Sequence, residues 1–204
     1  MRHGVRHEPR DVLMLYALLM STGIVALAEI GDKTQLLALL LAARFRKPWP
    51  IVAGIFVATV LNHAIAGSLG AWLVTLVAPE TMRWLLAASF IAMAAWMLVP
   101  DKIDEDELKI RDNAGVFMAT LLAFFMAEMG DKTQIATVML AAKYDSLMAV
   151  VVGTTLGMML ANVPAVWLGH RAATALPRRT VNVVSSCLFA LLGIAAALGV
   201  SFGM

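Results

Sequence analysis

Long apolar stretches at residues 12–43, 49–77, 82–99, 114–142, 147–170 and 180–202 alternate with short polar connectors. About 20 apolar residues cross the roughly 30 Å hydrocarbon core of a bilayer. The connectors "RFRKPWP", "APETMR", "PDKIDEDELKIRDN", "KYDS" and "ALPRRT" carry the Pro, Asp and basic residues that punctuate such spans. The pattern predicts an all-α integral membrane protein of six transmembrane helices.

Within that pattern the sequence repeats itself. Shifting it by 99 residues lays "AEIGDKTQ" (28–35) on "AEMGDKTQ" (127–134) with one mismatch. Without a gap, the same shift pairs Ala42 and Ala43 with Ala141 and Ala142, Gly54 with Gly153, Leu61 with Leu160 and Gly70 with Gly169. An internal duplication follows: residues 1–99 form a first three-helix repeat, 100–113 a charged central loop, and 114–204 a second three-helix repeat. Because each repeat holds an odd number of spans, the second enters the bilayer from the opposite side, giving two inverted repeats. Both acidic motifs then lie at similar depth and can face each other.

Composition agrees with the membrane. The chain is 61% hydrophobic and 15% charged, with a mean hydropathy of +0.82, far from an ordinary soluble domain. The net charge of +2 is scattered over connectors with no clustered basic patch, so nucleic acid is excluded as a partner. Cys187 is the only cysteine, which rules out an internal disulfide and a cysteine-ligated metal. The charged start "MRHGVRHEPRDV" precedes an apolar run too long, and interrupted by acids, for a cleaved signal peptide; it is expected to remain. Connectors 44–48, 100–113 and 171–179 hold nine Lys or Arg against five on the other side, which puts the central loop in the cytoplasm and both termini outside.

A charge at the bilayer centre costs about 3 kcal/mol on the lenient insertion scale, yet each motif holds a Glu, an Asp and a Lys. On a regular helix Glu29, Asp32 and Gln35 share a face and Lys33 flanks Glu29, while Thr34 points elsewhere unless the helix unwinds. Gly31 and Gly130 make unwinding plausible, and paired Gly-interrupted spans in matching places of two halves mark a transporter's midplane site. Together, Glu29, Asp32, Glu128 and Asp131 with Gln35, Gln134, Thr34 and Thr133 form an all-oxygen set. It suits Mg, Ca or Mn and is poor for copper or zinc.

Each Glu, Asp, Lys set sums to minus one, so one divalent ion neutralises the pair of motifs. Protons compete with the ion for the same four acids, the physical basis of proton/cation exchange. Lys33 and Lys132 are expected to pair with acids in the unloaded state, or with backbone carbonyls at a helix break. The structural alternative is an i,i+4 ion pair between Glu29 and Lys33 that only fixes helix packing. Asn62 and Asn162 are candidate oxygens behind the ligands or interhelical hydrogen-bond glue. His63, which the shift pairs with Asn162, is a proton carrier or the same glue. The fourteen methionines read as core filler.

The two copies "EIGDKT" (29–34) and "EMGDKT" (128–133) resemble the signature of the Gdt family of membrane cation exchangers, which includes bacterial manganese exporters and Golgi manganese/calcium transporters. The resemblance extends over nearly the whole chain. It implies export of Mn2+, or Ca2+ in some members, in exchange for protons by alternating access, with the motif acids binding the ion. The partners would be the ion, protons and the lipid bilayer, with no resident cofactor and no catalytic residues. The short chain looks like the bacterial form and suggests the cytoplasmic membrane. A lysine-exporter-like carrier of a small organic solute would share the architecture but fits the symmetric acids less well. An enzyme is disfavoured because the chain has no HExxH, paired-Asp or Ser/His/Asp set.

Overall fold

The computed structural model describes residues 10–99, 115–168 and 178–199, and every regular element among them is helical. The elements are α1 (Arg10–Glu29), α2 (Lys33–Phe45), α3 (Pro48–Leu76), α4 (Pro79–Trp96), α5 (Val116–Glu128), α6 (Lys132–Lys143), α7 (Leu147–Leu168) and α8 (Arg178–Ala197). The stretches expected as single spans at 12–43 and 114–142 are each two helices, broken inside the acidic motif. The charged loop 100–113, the first nine residues and most of the connector 171–179 lie outside the described residues.

Helix starts follow local chemistry. Pro48 and Pro79 sit in the first turns of α3 and α4, where a missing N–H costs nothing. Pro79 therefore draws the start of α4 into the stretch assigned to the connector. α2 stops where Arg46 adopts a left-handed conformation (φ 52°) and returns its N–H to Ala42 O at 3.0 Å. The starts of α2, α3 and α4 recur 99 residues later as those of α6, α7 and α8, and the ends of α1 and α5 are likewise 99 apart.

Three helices, Arg10–Glu29, Pro48–Leu76 and Leu147–Trp167, are each long and apolar enough to cross a membrane. Val116–Glu128 and Val183–Ala197 are apolar but shorter. α5 falls short because the motif ends it at Glu128. The surface is apolar, and the interior holds charged and polar side chains beside its apolar clusters. Leu19, Phe56, Ile65, Trp72, Leu160 and Leu191 are exposed, while Glu29, Asp32, Asn62, His63, Glu128, Asp131, Lys132 and Asn162 are buried. In water this distribution would be unstable; in lipid it removes every motif acid from hydrocarbon.

The packing is reciprocal. α7 lies along α1 and continues onto α2, and α3 lies along α5 and continues onto α6. A Cβ on Gly153 would meet Leu18 O at 2.5 Å and Ser21 Cβ at 2.9 Å, and one on Gly54 would meet Phe117 O at 2.9 Å and Thr120 Cβ at 2.8 Å. All three pairs of residues are 99 apart, so the two interfaces are the same close approach of backbone to backbone, made by small residues as in membrane helix pairs. α4 and α8 pack on each other through Phe90 and Phe189, also 99 apart, with ring centroids at 6.2 Å. Ser185 Oγ donates to Leu27 O at 2.9 Å and ties α8 to α1.

The tightest approach is at Gly70, where a Cβ would lie 2.2 Å from Val138 O. Gly70→Ala should therefore lower the thermal midpoint of the detergent-solubilised protein, in keeping with an overpacking cost of about 1–3 kcal/mol. Gly23→Ala, whose Cβ meets nothing within 4 Å, should leave the midpoint unchanged or raised; equal shifts for the two would contradict the close packing of α3 on α6.

Candidate functional site

Each motif is built around a helix break that its glycine makes possible. Gly31 (φ 85°) and Gly130 (φ 76°) occupy the left-handed region, which a residue with a Cβ adopts only with strain. The chain turns tightly there: Asp32 N donates to Glu29 O at 3.0 Å, and Asp131 N to Glu128 O at 3.1 Å. The glutamines brace the turn. Gln35 Oε1 accepts from Gly31 N at 3.0 Å and Gln134 Oε1 from Gly130 N at 2.7 Å, each reaching back over the first turn of its helix to an amide the break would orphan.

The break redirects the threonines. Thr34 Oγ1 donates to Glu29 Oε1, and Thr133 Oγ1 to Glu128 Oε2 at 2.8 Å, so each hydroxyl spans its own break to hold the glutamate on the far side. On an unbroken helix these residues would point away from the glutamates. Glu29 takes a further bond from α7, where Asn162 Nδ2 lies 3.1 Å from its Oε1. Gln35 Nε2 donates to Ala161 O at 3.1 Å, so the first break is fixed to α7 twice.

The two motifs meet through crossed ion pairs. Lys33 Nζ lies 3.8 Å from Asp131 Oδ1, and Lys132 Nζ lies 4.0 Å from Asp32 Oδ1. Lys132 is 2% exposed and Lys33 somewhat more open. Lys132 also donates to Val99 O at 3.4 Å, beyond the end of α4. Asp32 and Asp131 hold the N-cap positions of α2 and α6 without a side-chain capping bond. Their carboxylates stay beside the positive ends of these helices while facing the opposite lysine. A regular i,i+4 pair of Glu29 with Lys33 has no helix to sit on, because α1 ends at Glu29 and α2 begins at Lys33.

The expectation that four carboxylates converge is met only in part. The motifs come together, but among the described residues no three His, Cys, Asp or Glu side chains gather as a metal-holding group. Ammonium groups beside Asp32 and Asp131 account for this: the charges are interleaved by sign. Asn62 acts as glue, with Nδ2 donating to Phe125 O at 3.2 Å. His63 does not: it is fully buried, and neither ring nitrogen has a hydrogen-bond partner among the described residues. Sequence reasoning missed the carbonyl of Val99, for which no side-chain signal exists.

All four acids are 5% exposed or less. A cavity of about 730 Å³ opens where α1 starts and α3 and α6 end, lined by Leu13, Met14, Ala17, Thr75, Lys143 and Asp145 among others. No motif residue lines it. Along α1 and α6 the buried apolar residues Ile24, Ala28, Ala136 and Leu140 lie between this cavity and the motifs.

Comparison with known families matches residues 17–105 and 116–202 to the divalent cation/proton antiporter GDT1. The chain is similar to a Vibrio cholerae protein provisionally named a manganese exporter, with 52% identity over 90% of this chain and 92% of that one. It is also similar to GDT1-like protein sll0615 of Synechocystis (27% identity; 89% of this chain, 96% of the relative) and to GDT1-like protein 3 of rice (26%; 92% and 75%). No solved structure matches. Both matched segments contain one broken helix with its Glu, Asp and Lys, and by this match over most of its length the chain belongs to the GDT1 family of divalent cation/proton antiporters.

Proposed function

We propose that this protein exports Mn2+ across a bacterial cytoplasmic membrane in exchange for protons, by alternating access at the paired motifs. The observation that carries the reading is the crossed pairing of Lys33 with Asp131 and Lys132 with Asp32 between two helix breaks. The architecture behind it is six spans, α1–α2, α3, α4, α5–α6, α7 and α8, in two inverted repeats joined by a cytoplasmic loop. The shared 99-residue interval of the helix boundaries and the reciprocal glycine contacts support that arrangement.

The charges suggest how exchange works. The two lysines offset the two aspartates, which leaves Glu29 and Glu128 to carry the variable charge: minus two when ionised, zero when protonated. One divalent ion therefore replaces two protons without changing the charge of the buried centre, the condition for moving it through a low-dielectric barrier. Thr34 and Thr133 hold the glutamates at the breaks, and Gln35 and Gln134 keep the breaks open. With the acids shut from the cavity by Ile24, Ala28, Ala136 and Leu140, the conformation fits an occluded intermediate. Loading requires the lysines to give way, so that Asp32 and Asp131 join the glutamates around the ion. The name of the Vibrio cholerae relative favours Mn2+. Ca2+ is the second reading, since the motif ligands are all oxygen; no observation favours an organic solute.

Purified protein in liposomes, with a Mn2+-sensitive dye and a proton dye under an imposed pH gradient, tests this. Wild type should move Mn2+ only with counter-moving protons, and Glu29→Gln or Glu128→Gln should fall to the rate of empty liposomes. Normal transport by both variants would make the motifs structural.

The ion pairs give an independent expectation. Lys132→Ala alone removes the cation that faces Asp32 from the other motif and should destabilise the protein by about 3–5 kcal/mol. The double variant Lys132→Ala, Asp32→Ala should regain most of that loss in thermal denaturation and still fail to transport. A double variant as unstable as the single one would show that the pair contributes nothing.

A further inference from the structure

Among the buried positions at which the two halves differ is the pair His63 and Asn162. Residues 99 apart occupy matching places in the α3 and α7 interfaces, as Gly54 and Gly153 do against Phe117 and Thr120 or Leu18 and Ser21. On α7 the register brings Asn162 to Glu29, 3.1 Å away. On α3 the same register gives His63 the place that Asn162 holds on α7, one residue after Asn62, which bonds to Phe125 O three residues ahead of Glu128. His63 is 0% exposed, and Nδ1 and Nε2 both lack a hydrogen-bond partner among the described residues. Glu128 Oε1, also fully buried, lacks one too. Its other oxygen is held by Thr133.

A buried imidazole without partners costs free energy on the order of 1–3 kcal/mol per unmet group. A side chain that only glued helices would spend its nitrogens on a neighbour, as Asn62 does. His63 thus holds on α3 the position from which Asn162 reaches a glutamate on α7, with both nitrogens uncommitted to a neighbour among the described residues. We propose that His63 is a ligand of the transported ion in the second half of the site and that its nitrogen sets the preference for Mn2+ over Ca2+. This rests on the exchanger reading above and narrows its substrate class.

The chemistry is that of ligand softness. Ca2+ and Mg2+ take oxygen almost exclusively, whereas divalent first-row transition ions accept a neutral imidazole readily, with affinity rising from Mn2+ through Fe2+ to Co2+. A shell of acid, amide and hydroxyl oxygens alone would favour none of these strongly. Replacing one of them by nitrogen penalises Ca2+ and leaves Mn2+ bound. On the other half Asn162 offers an amide at the matching place, so the site as a whole presents one nitrogen among oxygens.

Pulsed electron paramagnetic resonance of Mn2+ bound to the wild-type protein should detect the nuclear coupling of one imidazole nitrogen, and this needs no variant. His63→Asn, which gives α3 the residue that α7 carries, should abolish that coupling and reduce the ratio of Mn2+ to Ca2+ transport in liposomes at least tenfold. Bound Mn2+ without nitrogen coupling in the wild type, or an unchanged transport ratio in a His63→Asn protein of normal thermal midpoint, overturns the proposal. Glu128→Gln separates the two layers: Mn2+ binding that survives it overturns the acid site itself, whatever His63 does.

Discussion

The structure depends on six charges held at the centre of an apolar molecule. In hydrocarbon each would be costly alone, and a carboxylate or ammonium stripped of water is tolerated only when paired or neutralised. Here each lysine meets the aspartate of the other motif. These crossed pairs tie the two halves to each other, alongside the reciprocal packing of α3 on α5–α6 and of α7 on α1–α2. Glycines allow these helices to touch, since a Cβ at Gly54, Gly70 or Gly153 would come within 2.2–2.9 Å of the facing helix.

The helix breaks turn that constraint into a site. A continuous helix would stack Glu29 and Lys33 on one face and leave Thr34 on another. Ending α1 at Glu29 and starting α2 at Lys33 takes the two off a common helix, brings the hydroxyl to the acid, and frees a backbone amide that the glutamine then satisfies. Within the eight residues "AEIGDKTQ" the work is divided without overlap. Glu holds charge, Gly turns the chain, Asp and Lys pair across to the other motif, Thr fixes the Glu, and Gln braces the Gly.

Much of this was legible in the residues. Duplication at 99 residues, the acids, the break at Gly31 and Gly130 and the pairing of the lysines with acids all follow from spacing and from the cost of buried charge. Two things were not. Which lysine meets which aspartate is a property of how the halves dock, and no local pattern encodes it. The role of Asn162 against that of Asn62 was equally hidden: both are buried asparagines, yet one reaches a glutamate and the other a carbonyl, because the duplication places Asn162 on His63 rather than on Asn62. Hydropathy also overstated continuity, since an apolar run of thirty residues looks the same whether its glycine is helical or left-handed.

Duplication has a mechanical consequence. Under the proposed alternating access, two equivalent halves would make the states open to either side differ little in energy, since each would be the other with the halves exchanged, and a modest difference in ion or proton binding would suffice to drive the protein between them. Departures from equivalence would then set direction and choice. Glu29 receives a threonine and an asparagine, and Glu128 a threonine. Met129 beside the second break is 53% exposed, whereas Ile30 at the first is half-buried. The two glutamates are thus held by different partners, and the surroundings of the two breaks differ in exposure.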